Sequence, residues 1–212
     1  MNCPPRQPGV KFLIKSLFKQ NIGVALSIVI CVVVGLCAGA FTVNNLSKVQ
    51  VGELSDYLGS FSNIYINQSI PAGNLLLLSL IQNFKFILFI FILGMTIIGL
   101  PGIYVLCIGR SYVTGFSMGV FISAFGTKGV LISFLTILPS DFFKLAAYMI
   151  LSISAVIFSI RIFKLLARKG YDISFKNSFI ELLKAVLVSS GILLIGTLYE
   201  SLITPVLLRL IL

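Results

Sequence analysis

Histidine and tryptophan are absent from the 212-residue chain, and acidic side chains number only six. Without an imidazole the chain lacks the usual general base near neutral pH and the commonest metal ligand, which nearly excludes metal sites. No glycine-rich phosphate loop follows a strand, and no nucleophile elbow is present. The sequence therefore predicts no catalytic residue, no metal and no cofactor, and an enzyme is the least favoured class.

Charge of either sign is scarce, at 10% of residues, whereas 58% are hydrophobic and the mean hydropathy is +1.10. A soluble domain carries roughly a quarter charged residues. This chain has too few charged side chains to cover a surface that faces water. Its apolar runs are separated by Gly and Pro, as a helical membrane bundle requires, because backbone polar groups in lipid must bond within their own segment. We expect an all-α polytopic membrane bundle of about five spans of about 20 residues each, with Gly/Pro-broken helices and an external amphipathic helix.

The apolar runs divide the chain into a basic cytoplasmic tail, 1–20, and a single membrane domain, 21–212. The predicted spans are about 22–43, 84–106, 111–126, 130–160 and 179–202, with an external segment at 44–74 and a cytoplasmic basic loop at 161–177. Proline removes a backbone donor and crowds the preceding turn. Helix breaks are therefore predicted at Pro101, Pro139 and Pro205, with Pro139 dividing the fourth run.

The net charge of +10 does not indicate nucleic acid, because the basic residues flank apolar segments and no basic-aromatic module is present. They are instead typical of topology anchors facing anionic lipid. With the N-terminus inside, Arg6–Lys19, Arg110 and Arg161–Lys176 fall in the cytoplasm. The bias predicts a multi-pass protein of the bacterial cell membrane with a cytoplasmic N-terminus and an external C-terminus.

Small side chains recur every four residues in two predicted spans, which places them on one helix face where another helix can approach closely. One stripe includes Gly35 and Gly39, and the other includes Gly115 and Gly119. We expect these glycines to pack helices together, either within one chain or between copies in a homo-oligomer.

The external segment begins with Ser47 and Gln50 at capping-box spacing, which favours the start of a helix. Apolar residues then follow with helical spacing. They predict either an amphipathic helix lying on the membrane surface or a docking surface for a partner outside the membrane. The candidate partner-binding residues are Leu54, Tyr57, Leu58, Phe61 and Tyr65.

Charged residues within apolar surroundings form a second candidate site, because a charge at mid-bilayer costs about 2.5–3.5 kcal/mol and needs a partner or an aqueous cavity. The predicted topology brings Lys85, Asp141, Lys144 and Glu200 toward the outer face. We predict a paired cluster there, with Asp141 or Glu200 near Lys85 or Lys144. Separate interfacial snorkelling of each side chain and a proton or ion pathway remain the alternatives.

A series of weak motifs, ordered along nearly the whole chain, resembles one family. The motifs are Gly39 with Val43-Asn44-Asn45-Leu46-Ser47, Leu54-x-x-Tyr57-Leu58-x-x-Phe61, Gly94-x-x-x-Ile98-Gly99-Leu100-Pro101, Gly115-Phe116-x-x-Gly119, Leu138-Pro139 and Tyr199-Glu200-x-x-x-Thr204-Pro205. The chain resembles stage II sporulation protein M, a family of integral-membrane proteins. The broader family has a His-Gly and a downstream Glu after the Leu-Pro, where this chain has Ser140, Asp141 and Lys144.

The resemblance implies an endospore-forming bacterium and a role in engulfment of the forespore. It implies a non-catalytic scaffold in the septal or engulfing membrane that recruits the peptidoglycan-degrading stage II sporulation proteins D and P. The alternative is a small-solute permease or transporter subunit, in which Pro101 and Pro139 would mark broken helices. A membrane-deep aqueous cavity lined by Asp141 and Glu200 would favour the transporter, and an outer-surface position would favour the scaffold.

Overall fold

The computed structural model describes residues 21–47, 49–50, 52–54, 72–96, 99–166 and 175–211. These described residues form five long helices, α1 to α5. The helices are α1 (Ile22–Asn44), α2 (Ala72–Gly94), α3 (Gly99–Ile132), α4 (Leu138–Leu166) and α5 (Phe175–Ile211), with a π-helical turn at Ser133–Ile137. The described residues contain five helical segments long and apolar enough to cross a membrane. The predicted all-α polytopic membrane bundle is confirmed.

Helix α4 lies at the centre of the bundle. Its apolar window is 61% buried inside the protein, against 17–28% for the other four spans, and residues 151–159 are buried without exception. A helix that is buried on every side needs no polar face, and the serines in this stretch form hydrogen bonds instead. Ser159 Oγ donates to the backbone oxygen of Thr96 at 3.0 Å, and Cys107 Sγ donates to Ser152 Oγ at 3.1 Å.

The boundary between the second and third spans differs from the predicted one. The sequence analysis placed spans at 84–106 and 111–126, whereas the structure ends α2 at Gly94 and begins α3 at Gly99. The chain turns at 95–96, where Thr96 caps the end of α2 by donating from both its N–H and its hydroxyl to Leu93 O. Arg110, predicted to lie in a cytoplasmic loop, is therefore in the middle of α3.

The helix break predicted at Pro101 is found just before it, between Gly94 and Gly99. Pro101 itself lies in the first turn of α3, where a helix has no use for the missing N–H and where the fixed φ of proline suits the helix start. A Cβ added at Gly99 would meet Leu93 O and the Thr96 side chain. The Gly99-Leu100-Pro101-Gly102 sequence is thus a helix start packed against the preceding turn, rather than a kink inside a span.

The turn between the third and fourth spans is at Gly126, next to the boundary between the predicted spans 111–126 and 130–160. Gly126 has φ 56° and ψ −127°, a backbone conformation that interrupts the helix and that only glycine adopts without strain. On either side, the apolar segments run Gly99–Thr127 and Gly129–Lys164. We call the end of the bundle at this turn the Gly126 end, and the opposite end, at the turn formed by residues 95–96, the Thr96 end.

Pro139 follows a π-helical turn instead of dividing two separate helices. Because proline has no N–H, it cannot bond the carbonyl of Leu135 four residues earlier. Tyr199 Oη of α5 donates to that Leu135 oxygen at 2.9 Å, and the wider turn is closed by Leu138 N–H bonding to Ser133 O. The third predicted break, Pro205, is wrong, because α5 continues through that residue to Ile211.

The two glycine stripes lie against each other between α1 and α3. A Cβ at Gly35 would be 2.6 Å from Ile108 O, and one at Gly119 would be 3.0 Å from a Val43 methyl group. A Cβ at Gly39 would overlap the backbone of Tyr112, and one at Gly115 would overlap the backbone of Leu36. The small residues therefore allow backbone-to-backbone packing inside one chain.

Candidate functional site

Three of the four predicted charged residues meet in one cluster. Lys144 Nζ lies 2.7 Å from Glu200 Oε2 and 3.6 Å from Asp141 Oδ1. The Lys144 side chain is only 3% exposed, whereas the Asp141 and Glu200 side chains are 14% and 38% exposed. A buried ammonium is tolerated only with such partners, so the lysine depends on both carboxylates.

The cluster forms because α4 and α5 approach closely at this level. Asp141 and Lys144 are three residues apart on α4, which places them on the same helix face. On α5, a Cβ at Gly196 would be 3.0 Å from Ser140 O and 3.2 Å from Lys144 Cγ. The glycine allows α5 to approach α4, and Glu200 lies one turn further along the same face.

Lys85 is not part of the cluster. It lies on α2 with its side chain exposed. The ion pairs among the described residues join Lys144 to Asp141, Lys144 to Glu200 and Arg161 to Glu181, so Lys85 belongs to none of them. Lys85 is thus exposed on the outside of α2, whereas pairing accounts for the other three.

Arg110 is the charged residue that the sequence analysis placed elsewhere. Its guanidinium carbon lies 5.5 Å from the centroid of the buried Tyr148 ring, a cation–π distance. Tyr148 Oη donates to Asn83 Oδ1 at 2.6 Å, which fixes the ring. Arg110 Nε is buried and has no hydrogen-bond acceptor among the described residues. Had the sequence analysis placed the boundary between α2 and α3 at Gly94 to Gly99, it would have predicted Arg110 inside a membrane span.

Arg110 and the Lys144 cluster line one cavity of about 250 Å³. Helix α3, the π-helical turn, α4 and α5 all contribute to its wall. The apolar members are Val113, Phe121 and Ile137, and the polar and charged members are Arg110, Thr114, Ser117, Thr136, Ser140, Asp141, Lys144, Glu200 and Thr204. Two cations and two anions leave the cavity with no net formal charge.

The cavity extends from mid-depth toward the Gly126 end. At 1.5 Å per residue, Arg110 lies about 16 Å along α3 from Gly99, and Lys144 lies midway, about 22 Å, between Gly129 and Ser159. Phe121 and Thr136 are much nearer the Gly126 turn. Arg110 and Lys144 therefore lie at the level of the spans rather than at a surface, deeper than the outer face at which the charged cluster was predicted.

A second ion pair joins α4 to α5 at the Thr96 end. Arg161 donates to Glu181 and, at 3.3 Å, to Ser178 Oγ. Aromatic packing surrounds it, with the Phe158 and Phe179 rings 6.3 Å apart. The pair connects α4 to α5 between the buried core and the Thr96 end, and neither of its residues lines the cavity.

The start of the external segment agrees with its prediction. Ser47 N–H donates to Gln50 Oε1 at 3.0 Å and Gln50 N–H donates to Ser47 Oγ at 3.4 Å, which confirms the capping box. Residues 49–50 and 52–54 are helical. Leu54 is partly buried, whereas the other candidate partner-binding residues, Tyr57, Leu58, Phe61 and Tyr65, lie outside the described part of the chain, as does the basic tail.

The chain matches the model of a known family over most of its length. Residues 27–205 match the model of the family described as Stage II sporulation protein M. The matched region begins within α1 and ends within α5, so it includes part or all of each of the five helices. No curated protein and no solved structure matches the chain.

Proposed function

Because the chain belongs to the stage II sporulation protein M family, we propose that this multi-pass sporulation membrane protein is a non-catalytic scaffold of forespore engulfment. Its proposed task is to recruit peptidoglycan-degrading hydrolases, the stage II sporulation proteins D and P, to the septal membrane. The observation that carries the proposal is that the family match extends through all five spans rather than over an isolated motif.

The side-chain chemistry supports a non-catalytic role. The sequence has no histidine, and the described residues contain no group of three or more metal-ligating side chains. Hydroxyls that line the cavity, such as those of Thr114 and Ser117, donate to the backbone oxygens of Arg110 and Val113 on their own helix. A nucleophile needs an adjacent base, and neither hydroxyl has one among these partners.

The orientation that we propose has the Thr96 end in the cytoplasm. In sequence, the basic tail that contains Arg6 leads into α1 at that end, and the connection between α4 and α5 leaves and re-enters the bundle there, with Arg168 and Lys169 in it and Lys176 in the first turn of α5. Positive charge accumulates on the cytoplasmic side of bacterial membranes. Since Arg110 is within α3, the bias rests on the tail and this connection. The segment 44–74 and the Gly126 end then face outward.

Partner contact is assigned to the outward segment. Its capped helix starts after Ser47 and carries Leu54, and the apolar spacing continues at Tyr57, Leu58 and Phe61. An apolar face outside the membrane is suited to a helix-in-groove or surface contact with a hydrolase. Such contacts derive most of their binding energy from a few large apolar and aromatic side chains.

Replacing Leu54, Tyr57, Leu58 and Phe61 together with Ala should abolish capture of the purified hydrolase by the membrane-reconstituted chain. A matched control changes four exposed apolar residues of α2, Leu77, Leu78, Phe84 and Phe89, to Ala, and it should capture normally. Both variants must insert to the same level, as measured by carbonate-resistant membrane content. If the variant of the outward segment captures the hydrolase as well as the control and the wild type do, the outward segment is not the contact surface.

The transporter alternative needs a continuous polar route through the bundle. Asp141 and Glu200 do line a cavity within the depth of the spans, but on its Thr96 side the bundle is closed by core residues. Leu151, Ala155 and Phe158 are each no more than 2% exposed, and Gly94 packs directly against Ala155. A cavity at this depth is the feature named above as favouring the transporter, but its closed Thr96 side leaves no continuous polar route through the described bundle. The cavity is therefore suited to binding at one end of the bundle, and the scaffold proposal rests on the family match.

A further inference from the structure

We propose that the cavity between α3, α4 and α5 is a binding site for a small zwitterion. The oxyanion of the ligand would pair with Arg110, and its ammonium would lie beside Asp141 and Glu200. This inference concerns a small ligand and does not depend on recruitment of hydrolases, since it rests on the charges that line the cavity.

The oxyanion end follows from the unsatisfied arginine. None of the ion pairs among the described residues includes Arg110, and its buried Nε has no acceptor among them. Among the described residues its guanidinium has a cation–π contact with the Tyr148 ring. A guanidinium presents a planar fork of donors that matches a carboxylate or phosphate. Thr204 Oγ1, which also lacks a partner among the described residues, lines the same cavity and offers it a further hydroxyl donor.

The ammonium end follows from the opposite imbalance. Lys144 is a single cation held between two carboxylates, 2.7 Å from Glu200 and 3.6 Å from Asp141, so the three residues carry a formal charge of −1. The Glu200 side chain is 38% exposed and can accept a second donor. An ammonium of the ligand would balance this charge without displacing Lys144.

Charge balance favours a zwitterion over a simple ion. The cavity as a whole is neutral, and a lone anion or cation would leave an unbalanced charge in surroundings where charges are costly to bury. A zwitterion satisfies both ends and keeps the total at zero. The volume of about 250 Å³ is below the roughly 300–1,000 Å³ of pockets for drug-sized ligands, which suits a headgroup such as phosphoethanolamine.

The ligand chemistry has two sources, a lipid headgroup or a free solute, and the test separates them. The purified full chain in detergent is titrated with phosphatidylethanolamine, with phosphatidylglycerol and with free glycerophosphoethanolamine, whose phosphodiester and ammonium keep the net charge at zero, and binding is read by native mass spectrometry and calorimetry. Wild type should bind phosphatidylethanolamine at least tenfold more tightly than phosphatidylglycerol. If the source is a solute, free glycerophosphoethanolamine binds with the same dependence on Arg110.

Arg110→Gln should weaken binding of the zwitterion at least tenfold, the loss expected for a charge-assisted hydrogen bond. Lys85→Gln, which removes the same charge from the exposed surface of α2, should leave it unchanged. Should Arg110→Gln fail to fold, Arg110→Lys keeps the charge but loses the fork and should weaken binding severalfold. Equal affinities of wild type and the folded Arg110 variant would overturn the proposal.

Glu200→Gln tests the ammonium end separately. Removing that carboxylate should reduce the preference for phosphatidylethanolamine over phosphatidylglycerol, because an anionic headgroup no longer meets a net negative cluster while Arg110 remains available. The ratio of the two affinities should fall at least fivefold. An unchanged ratio, or wild-type protein that binds phosphatidylglycerol as tightly as phosphatidylethanolamine, would contradict a zwitterion site.

Discussion

Replacement of Gly115 with Ala should destabilise the pair formed by α1 and α3. The added Cβ would overlap the Leu36 oxygen and lie 2.9 Å from its carbonyl carbon and 3.0 Å from its Cα. All three atoms belong to the backbone, so no side-chain rotation relieves the contact and α1 must move as a whole. Such a shift separates every other close contact along the helix pair, including the one at Gly39.

The magnitude can be isolated with a second glycine of the same helix. At Gly109 nothing lies within 4 Å of an added Cβ, so Gly109→Ala only gains the helix propensity of alanine, about 1 kcal/mol. Gly115→Ala gains the same propensity but adds overpacking of about 1–3 kcal/mol. The difference between the two variants therefore cancels the propensity and leaves the packing cost of about 1–3 kcal/mol.

The measurement is the free energy of unfolding of each variant in mixed micelles, titrated with a denaturing detergent and followed by circular dichroism. We expect Gly109→Ala to be as stable as wild type or more stable, and Gly115→Ala to be less stable than Gly109→Ala by the amount above. If the two alanine variants unfold at the same detergent fraction, the close approach of α1 and α3 does not exist in the folded protein.

The same assay tests the polar contacts of α4 and α5. Lys144→Met should cost about 3–5 kcal/mol, because it leaves two carboxylates together without their cation, and Glu200→Gln should cost less; the reverse order would contradict the cluster. Tyr199→Phe should cost about 1–3 kcal/mol by leaving the Leu135 carbonyl unpaired. Adding Pro139→Ala, which restores an N–H donor for that carbonyl, should recover part of the lost stability. If the destabilisations of the two substitutions simply add, Tyr199 does not compensate for the donor that Pro139 lacks.

The fold class could be predicted because lipid imposes it on composition. A chain with 10% charged residues and repeated apolar runs must satisfy its backbone within helices, and the number of spans follows from their total length. The boundaries were harder, because glycine and proline mark both the starts of helices and kinks inside them. Pro101 at a helix start and Pro205 within a continuous helix show that the same residue has different consequences at different positions.

The candidate site could be predicted only in part, because its members come from distant parts of the chain. Asp141 and Lys144 are neighbours on one helix, but their contact with Glu200 depends on how closely α5 approaches, which Gly196 allows. No spacing rule links residues more than 50 positions apart. Arg110 was assigned to a loop because the boundary between α2 and α3 was predicted too late in the chain. For that reason the predicted cluster did not include Arg110, the second cation that lines the cavity.

Two motifs that are weak when read separately acquire meaning through their contact. Leu138-Pro139 and Tyr199-Glu200 lie on different helices, yet the hydroxyl of Tyr199 bonds the carbonyl that Pro139 leaves free, and the next residue, Glu200, bonds Lys144. The proline thus leaves free a carbonyl that faces α5, and the tyrosine that donates to it brings the adjacent carboxylate to the lysine. Both interactions fix how α5 lies against the π-helical turn and α4, so loss of either should loosen the wall of the cavity. We therefore expect Tyr199→Phe to lower both the free energy of unfolding and the affinity for phosphatidylethanolamine.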